Sequence, residues 1–291
     1  MRIFVTGATG GIGSAVVREL IEAGHQVVGL ARSDKSAVAL TAAGAEAHRG
    51  SLEDLDSLRS GAATADGVIH LAFIHDFSQY DGAVTTDLHA VEAMGDALVG
   101  SGKPFVITSG TLMARPGRLA TEEDQGSAGL PRVEAENAVL ALAERGVRSA
   151  VVRLAPCVHD ADRQGFASLL IDLARDKGVS AYIGDGSNRW PAVHRLDAAH
   201  LFRLAVEAAP TGSRLHGVGE EGIRFRDIAE AIGSRLNLPV VSIFHEEADA
   251  HFGWLSAMVT IDNPTSSALT RERLGWRPEG PSLTADIKRA Q

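Results

Sequence analysis

Within its first thirteen residues the chain runs from a short β-branched strand, residues 2–6, directly into Thr6-Gly7-Ala8-Thr9-Gly10-Gly11-Ile12-Gly13. The glycines at Gly7, Gly10 and Gly13 are spaced G-x-x-G-x-x-G, and an apolar-periodic stretch follows over residues 12–23. Strand, tight turn and helix thus succeed one another with no spacer. Such a turn lets backbone approach an anion closely, while the helix start offers unpaired N–H groups and a partial positive charge. The arrangement suits a pyrophosphate, and places Gly7, Thr9, Gly10, Gly11, Ile12 and Gly13 against a dinucleotide.

The rest of the chain repeats the same alternation. Gly24 closes the first helix, and further strands are expected at residues 26–30, 45–48, 67–72, 104–108 and 148–154. Helical patterns fall at 36–43, 84–99 and 133–145 between them. Strands alternating with helices predict α/β class: a Rossmann-type doubly wound parallel sheet covered on both faces. After Pro156 the rhythm weakens, with helices near 166–176, 198–208 and 225–236 and a Gly/Asp/Asn-rich loop at 184–189. The expected division is a dinucleotide-binding core over 1–157 and a smaller substrate-binding C-terminal lobe over 158–291, with about 190–210 returning to the core.

Charge and cysteine content narrow the function classes. The formal net charge of −9, without a basic cluster, argues against nucleic acid as partner. No apolar run approaches the ~18 residues of a membrane span, and residues 1–5 read as core strand, not as a secretory signal. The sole cysteine, Cys157, fits a reducing compartment, so the expected location is the cytoplasm. No His/Cys/carboxylate spacing suggests a metal.

The end of the second strand bears on which dinucleotide binds. NAD-selective folds place a carboxylate there for the ribose 2′-hydroxyl. This chain has Leu30-Ala31-Arg32-Ser33, a guanidinium and a hydroxyl suited to a 2′-phosphate, with Asp34 close enough to blunt the charge. NADP(H) is therefore expected ahead of NAD(H).

These residues resemble the short-chain dehydrogenase/reductase superfamily, in particular its extended and atypical, NAD-dependent epimerase/dehydratase-like branches. Residues 6–13 look like the extended-type TGATGxIG turn, and Leu274-Gly275-Trp276-Arg277-Pro278 is similar to a common ending of that branch. By the same resemblance Ser51 and Leu52 lie beside the adenine, and His70-Leu71-Ala72 is the strand end that lines the cofactor ribose, with Phe73 next to it. Thr108 and Ser109 of the fifth strand are expected at the cofactor, and the strand end Arg153-Leu154-Ala155-Pro156 leads into a loop that brings Pro156 and Cys157 to the nicotinamide. Relatives dimerise through the helices matching 84–99 and 133–145, which leaves a homodimer open.

The family's catalytic set is Asn, Ser or Thr, and a Tyr-x-x-x-Lys pair, and here the pattern breaks. The only tyrosines are Tyr80 and Tyr182, and neither is followed by lysine four residues later. At the matching spacing stand Arg132 and Glu136. The asparagine position falls on Asp87, and the serine position on Ser109 or Thr111. Arg132 cannot act as an acid near neutral pH, although it could bind a substrate carboxylate or phosphate, or simply pair with Glu136 along the helix. The segment after the fourth strand leaves the carboxyl end of a parallel strand, where such sheets bind ligands. It supplies His75 and Tyr80 as replacement acids and Phe77 as pocket wall. Asn188, Trp190 and His194 are expected on the substrate side. The leading expectation is an NADP(H)-dependent oxidoreductase acting on a carbonyl or hydroxyl of a small organic molecule. A nucleotide-sugar epimerase or dehydratase and a non-catalytic NADP(H)-binding sensor are the alternatives.

Overall fold

The structure, a computed structural model, describes residues 1–74, 79–114, 116–127, 129–130, 132–162 and 165–289. Its first strand, β1 (Arg2–Thr6), enters the core immediately, with Ile3, Phe4 and Val5 fully buried. The helix that follows, α1 (Gly11–Glu22), buries Val16, Val17 and Leu20 along one stripe. Each such aliphatic side chain contributes ~1.5–3 kcal/mol on leaving water. Alternation continues through β2 (Gln26–Ala31), α2 (Asp34–Ala42), β3 (Glu46–Arg49), α3 (Leu55–Thr64), β4 (Gly67–His70), α4 (Tyr80–Leu98), β5 (Pro104–Gly110), α5 (Val133–Ala141) and β6 (Arg148–Leu154). Then come β7 (Cys157–His159), α6 (Phe166–Lys177), β8 (Ser180–Ile183), β9 (Arg189–His194), α7 (Arg195–Ala208), β10 (Ser213–Gly217), β11 (Glu220–Arg224), α8 (Phe225–Leu236) and β12 (Val240–Ile243), with short helical pieces to α12 (Leu283–Arg289).

Seven strands form one parallel sheet in the order β10-β6-β5-β4-β1-β2-β3. One face is covered by α1 and α7 around Val16, Leu20, Leu201 and Phe202. On the other face α3, α4 and α5 pack Leu58, Val91, Met94 and Val139 against Phe4, Phe105 and Val151. A third cluster, holding Trp190, Phe225, Ile228 and Leu283, centres the C-terminal lobe with its two small sheets, β11-β9-β7 and β12-β8. No helix among the described residues is long and apolar enough to cross a membrane.

Two helices depart from the sequence expectation. Helix α4 begins at Tyr80, not near residue 84, so Tyr80 is helical and Asp87 lies two turns in. Helix α5 ends at Ala141 and tightens into a 3₁₀ turn over Leu142–Arg145.

Candidate active site

The glycine turn sits at the carboxyl ends of β1 and β4, where strand order reverses direction. Gly7 adopts φ +67°, and a Cβ there would stand 2.7 Å from the Ala72 amide nitrogen. A Cβ on Gly13 would lie 2.0 Å from the Gly7 carbonyl oxygen. The turn closes by Gly10 N–H donating to Gly7 O at 2.9 Å, and the Ser14 amide donates to Gly10 O at 3.0 Å. Gly10 caps α1 without a side-chain bond, so the first-turn amides of Gly11, Ile12 and Gly13 have no partner within the helix. Thr9 and Gly10 are exposed, and Leu71, Ala72 and Phe73 are half-buried beside them. A cradle that side chains would fill, with open helix-start amides, fits a dinucleotide diphosphate.

At the end of β2, Arg32 and Ser33 are exposed. Ser33 caps α2 by accepting from the Ser36 amide at 3.2 Å. Asp34, which could have blunted Arg32, turns instead to Arg49 at 2.5 Å. Among the described residues no carboxylate pairs with Arg32. Ser51 and Leu52 are half-buried just past β3.

Beyond the turn lies a buried chain of polar groups. The Thr6 hydroxyl accepts from the Ala72 amide at 3.2 Å and donates to His70 Nδ1 at 2.7 Å. That leaves His70 Nε2–H to donate to Asp87 at 3.1 Å. Arg132 lies 3.7 Å from the other Asp87 oxygen, donates to Thr108 O at 2.8 Å, and stacks 4.4 Å over the Phe73 ring. Tyr80 stands against Phe73 at 6.1 Å between ring centroids. Burial raises the Tyr80 phenol above its usual value, Arg132 pulls it back, and Asp87 and Asp81 push it up again. Asp87, Tyr80, Arg132, Phe73 and Thr108 are thus brought together. His75 and Phe77 lie outside the described residues.

The expected helical ion pair between Arg132 and Glu136 does not form, because each side chain faces a different partner. Glu136 is buried and accepts from Ser109 Oγ at 2.5 Å. Arg153 of β6 grips the same carboxylate through Nε at 3.0 Å and Nη2 at 2.6 Å, and donates Nη1 to Asp124 O at 2.8 Å. The position that the resemblance reserves for lysine therefore carries an internally neutralised anion.

The profile of the NAD dependent epimerase/dehydratase family matches residues 3–216. The chain belongs to this family. An uncharacterized protein of Schizosaccharomyces pombe is 51% identical over 289 residues, spanning 99% of this chain and 98% of its own. UDP-glucose 4-epimerase of Streptomyces lividans is 27% identical over 97% of this chain and 93% of its own. The crystal structure of dTDP-glucose 4,6-dehydratase DesIV from Streptomyces venezuelae, with NAD bound, superimposes with TM-score 0.78 at 18% identity, covering 100% of this chain and 95% of that one.

In this epimerase/dehydratase-family chain the remaining expected site residues each have partners within the fold. Thr111 is buried, its hydroxyl donating to Asn263 Oδ1 at 2.8 Å while Asn263 Nδ2 donates back to Thr111 O at 3.1 Å. Asn188 donates to Val259 O at 2.8 Å. Trp190 is fully buried edge-to-face with Phe225, with ring centroids 5.2 Å apart. His194 caps α7 through the Leu196 amide at 3.4 Å and meets the His159 ring at 5.7 Å. Pro156 and Cys157 are buried, and burial pushes the Cys157 thiol up to about 12.

Sequence reasoning gave no site role to His70, Arg153, Asn263 or Glu122. Glu122 is buried and accepts from both the amide and hydroxyl of Thr270 at 2.7 Å. Their partners are distant in sequence. His70 and Arg153 each head a strand-end run of the resemblance, His70-Leu71-Ala72 and Arg153-Leu154-Ala155-Pro156, and only these two lay on a motif that could have drawn attention to them.

Proposed function

We propose that this chain is an NADP(H)-dependent oxidoreductase acting on a carbonyl or hydroxyl of a small organic molecule, with Tyr80 as the proton donor. The observation that carries the reading is the seat of Tyr80 against Phe73, in the field of Arg132 and Asp87, while the Ser109 and Thr111 hydroxyls are both engaged elsewhere. When bound, the dinucleotide supplies or accepts the hydride. Tyr80, protonated at neutral pH, donates to the substrate oxygen as it becomes an alkoxide. Arg132, fixed by Asp87 and Thr108 O, sets the local field that the family otherwise draws from lysine. Asp87 is itself oriented by His70 and Thr6. The exposed Arg32, with Asp34 drawn off to Arg49, supports a 2′-phosphate and hence NADP(H).

A panel of aldehydes and ketones, followed by NADPH absorbance, tests this reading. Turnover is expected, and Tyr80→Phe should lower kcat by about 10²-fold or more with NADPH affinity unchanged. Tight NADPH binding with no turnover across the panel would leave the sensor role as the better account. The match to UDP-glucose 4-epimerase keeps a second reading in view, transient oxidation of a sugar nucleotide. It requires a base where Arg132 and Glu136 now stand, and a sugar-nucleotide product would establish it.

A further inference from the structure

We infer that Arg195, from the C-terminal half of the chain, is a diphosphate-side contact of the dinucleotide site. The inference rests on the reading of the glycine turn as a dinucleotide cradle and adds a residue outside the turn's own motif.

The turn is poor in charge. No lysine or arginine occurs between Ile3 and Val17, so the turn itself brings only the helix-start dipole, about half a unit charge, to meet two phosphates. Helix α7 supplies what the turn lacks. Leu201, Phe202 and Ala205 share one buried cluster with Val16, Val17 and Leu20 of α1. Arg203 of α7 pairs with Glu19 of α1 at 2.8 Å. This packing sets the first residue of α7 beside the first residue of α1, and Arg195 Nη1 donates to Gly11 O at 3.2 Å. The start of α7 is itself pinned. Trp276 Nε1 donates to Asp197 O at 3.0 Å, and the Asp197 carboxylate accepts the amides of Glu279 at 3.2 Å and Gly280 at 2.9 Å. The Arg195 side chain is 29% exposed although its Nε is buried, so the side chain is not sealed within the protein.

One carboxylate competes for it. Asp160, just past β7, forms a close ion pair with Arg195 Nε and accepts the Asp162 amide at 2.9 Å. Asp160 therefore stations the guanidinium on the flank of α1 and partly neutralises it. A guanidinium has five N–H donors in a planar fork, so it can keep the Gly11 bond and still offer donors to a phosphate oxygen. Asp160 then acts as a brake on affinity: a negative charge beside a site for anions.

Binding of NADPH and of NADH to the full-length chain, by calorimetry or by quenching of protein fluorescence, tests the assignment. Because the diphosphate is common to both, Arg195→Gln should weaken NADPH and NADH by the same factor, about tenfold. Arg195→Lys should recover part of the loss. Asp160→Asn should tighten both, whereas a pair that merely braces α7 on α1 would make Asp160→Asn bind more weakly. Unchanged affinity in Arg195→Gln, or a loss confined to one of the two dinucleotides, overturns the assignment. If Arg195→Gln does not fold, Asp160→Asn decides alone: tighter binding supports the assignment, and unchanged or weaker binding overturns it. Failure of the wild-type chain to bind either dinucleotide would overturn the cradle reading and this one with it.

Discussion

The Ser109 hydroxyl donates to Glu136 at 2.5 Å, and Arg153 grips the same carboxylate from the neighbouring strand. Ser109 and Arg153 face one another in the β5–β6 register, so sheet geometry brings both to α5. Arg153 and Glu136 are each essentially fully buried, which makes their mutual neutralisation a condition of folding. Removing one partner strands the other charge in the core. Glu136→Gln or Arg153→Met should therefore lower the unfolding free energy by about 3–5 kcal/mol in urea titrations. The same geometry predicts that Arg132→Tyr with Glu136→Lys, which rewrites the family's spacing, fails to build an active pair. The Glu136→Lys change would set a second buried cation against Arg153. A stable, more active double variant would refute this account of the site.

The proposed preference for NADP(H) rests on Arg32. With Asp34 committed to Arg49, the Arg32 guanidinium is available to a 2′-phosphate. Arg32→Ala should weaken NADPH by about tenfold or more, as expected for a charge-assisted bond. NADH affinity should hardly move. Equal losses for both dinucleotides would remove the argument for NADP(H).

Local signals made the first half of the fold legible, and non-local pairing hid much of the second. The β1 turn and α1 could be read because three glycines and an apolar stripe lie within one short segment. Strand β6 could be read from its apolar centre, Ala150-Val151-Val152. Helix α3 escaped because its sequence, LDSLRSGAAT, is nearly as polar as apolar. Its one clear marker was the cap, in which Asp54 accepts from the Ser57 amide at 3.0 Å. Strand β9 was read as part of a substrate loop, because nothing nearby announces that it pairs with β7 and β11. In the candidate site, the lack of Tyr-x-x-x-Lys was visible. The compensating partner of Glu136 was not, since Arg153 reaches it only across the α5–β6 crossover.

Cys157 offers a direct check on burial in the cluster around Trp190. Its side chain sits in the apolar cluster with Trp190 and Phe225, and burial pushes the thiol up to about 12, with the Glu220 charge adding to the shift. Thiolate is the reactive form, so a thiol reagent at neutral pH should leave the native chain unmodified and label it once unfolded. Cys157→Ser should cost about 1–3 kcal/mol by placing a hydroxyl in that cluster, and Cys157→Ala should preserve dinucleotide binding. Rapid, stoichiometric labelling of the folded protein would contradict the burial described here.

Two buried histidines set the sign of the acid response. His159 is held by Asp286 at 2.8 Å, and His216 Nδ1 donates to Ser266 O at 2.8 Å. Burial is the main influence on both and drives each below the usual histidine value. Asp286 opposes it at His159 and Glu122 opposes it at His216, without reversing it. In the unfolded chain both titrate near about 6.5. As pH falls through that value the unfolded state takes up protons that the folded state refuses, so stability is present above it and is lost below. Glu220, raised by burial, acts in the opposite sense as the carboxylate range is approached, because there the folded state protonates first. The loss should therefore begin near pH ~6.5 and continue into the carboxylate range, where Asp124, Glu207 and Asp262, held below their usual values despite burial, outnumber Glu220 and lose their contribution as they protonate. Urea midpoints across that interval should fall for the wild-type chain. They should fall less steeply for His216→Gln, which has no imidazole to protonate on unfolding. A midpoint that stays level or rises as the pH drops below ~6.5 would show that the two rings are not held neutral by the fold.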